Sequence, residues 1–275
     1  MVKGSSGNIR DFQRIVWKYY EKEGRHDLPW RKTTDPYKIL VSEVMLQQTQ
    51  VDRVKPFYKE FLKKFPTVHA LAKASLGDVL KEWQGLGYNR RAKMLHEAAK
   101  QIVSEYKGKL PDSVEELESL RGVGPYTARA VATFAYNLDV VCIETNVRTV
   151  ITHHFFHDQK EVADKDILAI LAKALPKGNA REWYSALMDY GAHLKRSGVR
   201  NNTKSTTYTK QSTFAGSNRE VRGAILRALI SGPQTVAQLS RLLGHDRKDQ
   251  IKIQIQRLES EHLIQKNGSH FRLPH

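Results

Sequence analysis

"LRGVGPYTARAVATF", residues 120–134, is the stretch that decides the fold. Gly122 and Gly124 flank one valine, Pro125 follows, and a run of helix formers begins. Proline suits the first turn of a helix, where its missing N–H is not needed. Glycine allows backbone conformations that other residues resist. A helix over 113–120 and another over 127–134 flank the turn, which gives a helix-hairpin-helix. The N–H groups at the start of the second helix face outward, and the helix dipole favours an anion there. The expected occupant is a phosphate, bound by the backbone of Gly122, Val123, Gly124, Tyr126 and Thr127. The hairpin carbonyls of residues 121–124 are a candidate cradle for a monovalent cation between protein and phosphate; no other metal site is expected. A plain tight turn between helices accounts equally well for GxG taken alone. The lengths of the flanking helices and the charge of the chain favour DNA-backbone binding.

That charge is +16, from 45 Lys+Arg against 29 Asp+Glu in 275 residues. It points to a polyanionic partner, nucleic acid first among them. Hydrophobic residues make up 40%, a globular composition with enough chain for one large domain or two. The single cysteine, Cys142, excludes an internal disulfide and any multi-cysteine metal or iron–sulfur site within these residues. No apolar run reaches the roughly 20 residues of a membrane span, and the first residues lack a signal-peptide core. A soluble, intracellular protein without membrane contact is expected.

Outward from the hairpin, apolar residues recur at helical spacing. Ile9, Phe12, Ile15, Val16 and Tyr19 predict an amphipathic helix ending at Gly24. Asp35 and Pro36 form a cap and first turn for a helix through Ile39, Leu40, Val44, Met45 and Leu46. Further helices are predicted over 51–65, 68–74, 76–84 and 90–106. Strand alternation is almost absent before Leu263, so the body is all-α. Residues 194–217 are polar, basic and rich in Ser and Thr, and read as a connector. Beyond it come a helix over 219–230, one capped by Thr235 with Val236, Leu239 and Leu242 inward, and one over 248–262. A hairpin closes the chain, with a type I′ turn signal at Asn267-Gly268. Three helices and a hairpin make a winged helix-turn-helix, which binds DNA or docks proteins.

Four segments in order carry a resemblance: "LPWRKTTDPYKILVSEVMLQQTQVDRV" at 28–54, "LKEWQGLGYNRRAKMLHEAAK" at 80–100, "LRGVGPYTARAVATFAY" at 120–136 and "IETNVRTV" at 143–150. Together they resemble the helix-hairpin-helix (HhH-GPD) DNA glycosylase superfamily, and within it the MutY-type adenine glycosylases, over residues 8–194. The resemblance implies a two-lobed all-α glycosylase fold followed by the winged helix-turn-helix. Residues 1–29 with 137–194 form the terminal lobe and 30–136 the helical-barrel lobe bearing the hairpin. Residues 195–217 are the connector and 218–275 the winged helix.

The same resemblance assigns roles. Glu43 matches the general acid that protonates the purine, so its pKa should be raised by burial. Glu144 stands where the family usually has aspartate, the carboxylate that stabilises the oxocarbenium-like sugar; it keeps the charge and adds a methylene. Its other reading is a cap for the helix entered through Thr145 and Asn146. Asn146 matches the residue that holds the attacking water or orients this carboxylate. Tyr126 occupies the place of the Schiff-base lysine of strand-cleaving relatives, which implies a monofunctional enzyme. Trp30, Arg31 and Leu46 match the base pocket. Gln48 and Tyr88 match the wedge that fills the stack once a nucleotide is flipped out. Arg90 and Arg91 would meet phosphates. Aromatic residues such as Trp30 and Tyr88 are also ordinary core constituents of helical proteins.

Two family features are absent from the sequence. No four-cysteine set follows the catalytic region, so no iron–sulfur cluster and no other cofactor is expected. Lys195, Arg196, Arg200, Lys204 and Lys210 of the connector are candidates for the lost DNA contact. A winged helix stands where a NUDIX-like domain reads the opposite base. The expected activity is excision of adenine opposite guanine or 8-oxoguanine by a monomer acting on mismatched double-stranded DNA, with the DNA in the nucleoid of a prokaryote. The alternatives are thymine or uracil excision from mismatches with guanine, and mismatch binding without catalysis.

Overall fold

The computed structural model describes residues 8–199 and 213–275, and these divide into two compact units. The first comprises residues 8–40, 112–118 and 124–199; the second comprises 41–111, 119–123 and 213–275. Arg200, Lys204 and Lys210, named above as DNA contacts, lie outside the described residues.

The body is helical, as its periodicity requires. The elements are α1 (Ile9–Glu23), α2 (Pro36–Leu46), α3 (Val51–Lys64), α4 (Val68–Lys73), α5 (Leu76–Glu82), α6 (Arg90–Glu105), α7 (Val114–Ser119), α8 (Pro125–Tyr136), α9 (Thr145–Phe155), α10 (Asp164–Ala174) and α11 (Ala180–Arg196). Local chemistry starts and stops them. Asp35 accepts from the N–H groups of Tyr37 (2.9 Å) and Lys38 (3.3 Å) at the start of α2. Thr67 and Ser75 cap α4 and α5 through Ala70 and Asp78. Asn137 ends α8 in the left-handed conformation. Among the described residues, strands occur only in the C-terminal part.

The first unit is built around one apolar cluster. Phe12 and Val16 of α1, Val150 and Phe155 of α9, Ile167 and Leu171 of α10, and Trp183 and Leu187 of α11 all belong to it. Phe12 meets Phe155 and Trp183 edge-on, with centroids 5.1 and 5.8 Å apart. Beside the cluster, Asp189 of α11 is 1% exposed and carries a charge. It accepts from the Arg25 backbone N–H and Nε, both at 2.7 Å, and from both Arg31 Nη atoms at 2.6 and 2.9 Å. Burial alone would raise this carboxyl's pKa; the hydrogen bonds and charges of Arg31 and Arg25 outweigh it and hold the pKa below the usual value.

In the second unit α6 packs on α4 and α5. His96 and Ala98 of α6, Leu71 of α4 and Trp83 after α5 are buried. The C-terminal part of this unit has α12 (Asn218–Ile230), α13 (Val236–Leu243) and α14 (Lys248–Ser260), with strands β1 (Gln234–Thr235), β2 (Gln265–Asn267) and β3 (His270–Arg272) in the antiparallel order β1-β3-β2. Thr235 and Gln238 form a capping box at α13. Val221, Ile225, Leu239, Ile251, Leu258 and Phe271 make the interior.

Two sequence expectations change here. Leu242 is 64% exposed, because α13 is short and turns only Leu239 and Ser240 fully inward. The hairpin pairs Asn267 with His270, so its central residues are Gly268 and Ser269. Only Gly268 has positive φ (59°), which fits a type II′ turn, not type I′. The strand β1 was also unforeseen; two residues are too few to show alternation.

The Asp189 network gives a stability prediction. Asp189→Asn leaves two partly buried guanidinium groups without their carboxylate and is expected to cost about 3 kcal/mol in urea unfolding at neutral pH. The folded-state pKa is depressed, so the stabilisation exists above the unfolded-state value near ~4 and is lost as pH falls through the folded value. The difference between wild type and variant should therefore shrink on acidification below about pH 4.

Candidate active site

The sequence-predicted residues fall into two groups, one in each unit. In the second unit, α2 carries Glu43, which is 7% exposed between buried Ser42 and Val44. Leu46, at the helix end, is half-buried and Gln48 beyond it is exposed. What holds this helix end is Arg91. Its Nη1 donates to the carbonyls of Val44 (2.8 Å), Met45 (2.9 Å) and Gln47 (2.6 Å). Its Nη2 donates to Thr49 Oγ1 and to the Gly87 carbonyl, both at 3.1 Å. The last carbonyls of a helix have no partner within it, and a guanidinium fork is well shaped to collect them. Burial pushes the Arg91 pKa down to about 10, which leaves it charged at neutral pH. Arg91, expected at a phosphate, is therefore directed inward, while Arg90 is exposed.

Both wedge candidates have left-handed backbone, Gln48 with φ 53° and Tyr88 with φ 49°. Such positions are sparsely populated by non-glycine residues and collect at functional sites. Tyr88 is half-buried, with the Arg91 guanidinium 5.3 Å from its ring centroid. Gly122, at φ 74°, lies so close to α6 that a Cβ would collide with Met94. Val123 is buried, and its N–H closes the turn onto the Leu120 carbonyl at 3.0 Å.

In the first unit, Gly124 precedes α8 with extended backbone, and a Cβ there would meet nothing within 4 Å. The two glycines thus differ: Gly122 is required by conformation and packing, whereas Gly124 leaves open space. Tyr126 is half-buried against the apolar cluster, and Thr127 is buried. Trp30 lies buried in a 3₁₀ turn, Pro29–Arg31. Arg31, expected in the base pocket, is bound to Asp189 as described.

Glu144 is the N-cap of α9. Its Oε1 accepts from the N–H groups of Asn146 (2.7 Å) and Val147 (2.8 Å). Its Oε2 accepts from Asn146 Nδ2 and Thr145 Oγ1, both at 3.2 Å. The capping and carboxylate-orienting readings therefore describe one arrangement: an anion fixed at a helix N-terminus, with Asn146 bracing it. Lys195 of α11 donates to Thr145 Oγ1 at 2.9 Å. Burial lowers the Lys195 pKa, and the Glu144 charge pulls it back up. Gly191 lets α11 approach, since a Cβ there would strike the Asn146 carbonyl. Arg196 is exposed.

Sequence reasoning missed Asp189, the inward role of Arg91, and Gly191. Their signals were slight: an aspartate and a glycine inside a helix otherwise rich in apolar residues. Among the described residues, no group of three or more His, Cys, Asp or Glu side chains could hold a metal, and no helix is long and apolar enough to cross a membrane.

Residues 41–177 match the family of "HhH-GPD superfamily base excision DNA repair protein". The adenine DNA glycosylase of Mycolicibacterium smegmatis is 40% identical over 234 residues, covering 78% of this chain and 80% of that protein. This chain belongs to the HhH-GPD superfamily. The adenine DNA glycosylase of Mycobacterium tuberculosis is 42% identical over 190 residues, which are 67% of this chain and 61% of that protein. Among solved structures, a thermostable thymine-DNA glycosylase matches with TM-score 0.59 and 27% identity over 67% of this chain and 86% of its own. An endonuclease III trapped on DNA shares the fold, with TM-score 0.57 and 21% identity over 67% of this chain and 85% of its own. In this HhH-GPD protein the hairpin is the link from α7 to α8, and the family match includes Glu43, Tyr88, Tyr126 and Glu144.

The inward role of Arg91 can be tested by stability alone. Arg91→Met should cost about 3 kcal/mol in urea unfolding, because several carbonyls lose one shared donor. Arg91→Lys should recover only part of this, since an ammonium lacks the planar fork.

Proposed function

We propose that this chain is a monofunctional DNA glycosylase that removes adenine opposite guanine or 8-oxoguanine. The observation that carries this reading is Glu43, a carboxyl almost fully buried in α2, in a chain 40% and 42% identical to two adenine DNA glycosylases. This buried carboxyl is assigned the part of general acid that the family resemblance implies. In the proposed reaction, Glu43 gives its proton to a ring nitrogen of the flipped adenine. The N-glycosidic bond then breaks, with its electron pair leaving on the base. Glu144 stabilises the cationic sugar left behind, and water adds at the anomeric carbon and gives its surplus proton to the surrounding solvent. The bracing of Glu144 by Asn146 supports that role. Tyr126 has no amine with which to form an imine, so the product keeps an intact strand at an abasic site.

The partner is double-stranded DNA with a mismatched or damaged base, bound by a monomer and met where the cell keeps its DNA. Residues 121–124 and Tyr126 and Thr127 take the backbone of the strand, Trp30 and Leu46 line the base pocket, and Gln48 and Tyr88 form the wedge. Residues 218–275 are read as a winged helix, residues 1–29 with 137–194 as the terminal lobe, 30–136 as the barrel lobe and 195–217 as the connector. A four-thiolate cluster does not fit residues 1–275. Their one cysteine, Cys142, is buried, with its N–H on the Tyr184 hydroxyl at 2.9 Å. The enzyme is taken to work without a cofactor.

The thymine-DNA glycosylase fold match favours a second reading, thymine or uracil excision opposite guanine. Labelled duplexes carrying adenine, thymine or uracil opposite guanine, and adenine opposite 8-oxoguanine, separate the two. Cleavage is expected for the adenine duplexes, and only after hot alkali. Glu43→Gln should lower the single-turnover rate at least ~100-fold, the scale of general acid catalysis. Reaction of thymine or uracil alone would establish the second reading, and cleavage without alkali would exclude a monofunctional enzyme.

A further inference from the structure

Tyr88 is held by the C-terminal segment of its own unit. Arg219, second residue of α12, donates Nη1 to the Tyr88 hydroxyl at 2.8 Å, and its guanidinium lies 5.6 Å from the ring centroid. With Arg91 5.3 Å from the same ring, the tyrosine is engaged by two cations from different elements. The Arg219 guanidinium also lies 6.0 Å from the ring of Phe214, which is 63% exposed. An aromatic and cationic strip therefore runs from Tyr88 across Arg219 to Phe214. Such a strip suits bases and phosphates together.

The segment that brings Arg219 here is anchored elsewhere in the unit. Lys93 Nζ of α6 donates to the Glu261 carbonyl at 2.6 Å. The Gly77 N–H of α5 donates to the Pro274 carbonyl at 2.8 Å, and a Cβ on Gly77 would press on that oxygen. Arg219 thus approaches Tyr88 from a fixed base.

We propose that Arg219 is a positioning residue for the wedge tyrosine, through which the C-terminal segment takes part in opening the DNA stack. The inference rests on reading Tyr88 as the wedge. A ring held at its hydroxyl and its face has already lost the rotational freedom that insertion would otherwise remove. The guanidinium is also complementary in charge to the phosphates that flank an inserted ring. The left-handed backbone at Tyr88 aims the ring, and Arg219 fixes it there.

The test uses the full chain and a duplex with 2-aminopurine beside the target adenine. The fluorescence rise on rapid mixing reports opening of the stack ahead of excision. Arg219→Ala should reduce the flipping equilibrium about 10-fold, the combined scale of one hydrogen bond and one cation–π contact. Tyr88→Phe, which keeps the ring, should show part of that loss, and Arg219→Lys should restore only part of the signal. In a Tyr88→Ala background, Arg219→Ala should add nothing, with the thermal midpoint unchanged. A wild-type rise in Arg219→Ala, or an equal loss in the Tyr88→Ala background, overturns the inference and leaves the wedge standing. A wild-type rise in Tyr88→Ala overturns the wedge reading and the inference together. Should Arg219→Ala not fold, Tyr88→Phe and Arg219→Lys decide alone: wild-type rises in both overturn the inference.

Discussion

The capping of α9 by the Glu144 carboxylate is the interaction on which the first unit's candidate site depends. A helix start presents N–H groups with no partner inside the helix, and Glu144 binds two of them with one oxygen while Asn146 and Thr145 fix the other. The longer side chain of glutamate can fold back in this way. The anion is thereby set by the helix and needs no separate scaffold. α11 supports it from behind: Gly191 fits against the Asn146 carbonyl, Lys195 reaches Thr145, and Asp189 ties the same helix to Arg25 and Arg31. Trp183 and Leu187 of this helix belong to the apolar cluster. One helix therefore carries both the packing and the electrostatics beneath the anion.

The second unit solves a related problem at the opposite end of a helix. α2 ends on carbonyls, and Arg91 gathers them together with the Gln47 and Gly87 carbonyls. That single side chain connects the helix bearing Glu43 to the loop bearing Tyr88. It also fixes the segment in which Gln48 adopts a left-handed backbone. The wedge candidates are held in uncommon conformations because neighbouring groups determine them from several sides.

Much of this was legible in the sequence. The Asp35 cap and the start of α8 at Pro125 each have a local physical cause and are found as expected; α1 buries Phe12 and Val16 of its predicted stripe, but Ile15 is 42% exposed and Tyr20 is buried in place of Tyr19. The arginines were less legible. Within a chain of charge +16, Arg91 reads as a phosphate ligand and Arg31 as part of the base pocket, yet they face backbone carbonyls and a buried aspartate. Those partners leave no mark in the local sequence pattern, because they are main-chain atoms or lie more than a hundred residues away. The same holds for Arg219 and Tyr88, which are 131 residues apart. The exposure of Leu242 and the turn at Gly268-Ser269 depend on helix length and strand register, which a pattern of residue types leaves open.

Whether the charge of Glu144 or only its capping matters is the central question, and Glu144→Gln separates them. The amide oxygen can still accept the Asn146 and Val147 N–H groups, so the cap survives while the anion is lost. Single-turnover excision on the reactive duplex is the measurement, read beside the thermal midpoint. The expected result is a loss of at least ~100-fold in rate, the scale of a lost electrostatic contact to a transition state, with stability changed by no more than about 1 kcal/mol. A variant that excises at the wild-type rate would contradict it, and would reduce Glu144 to the cap of α9.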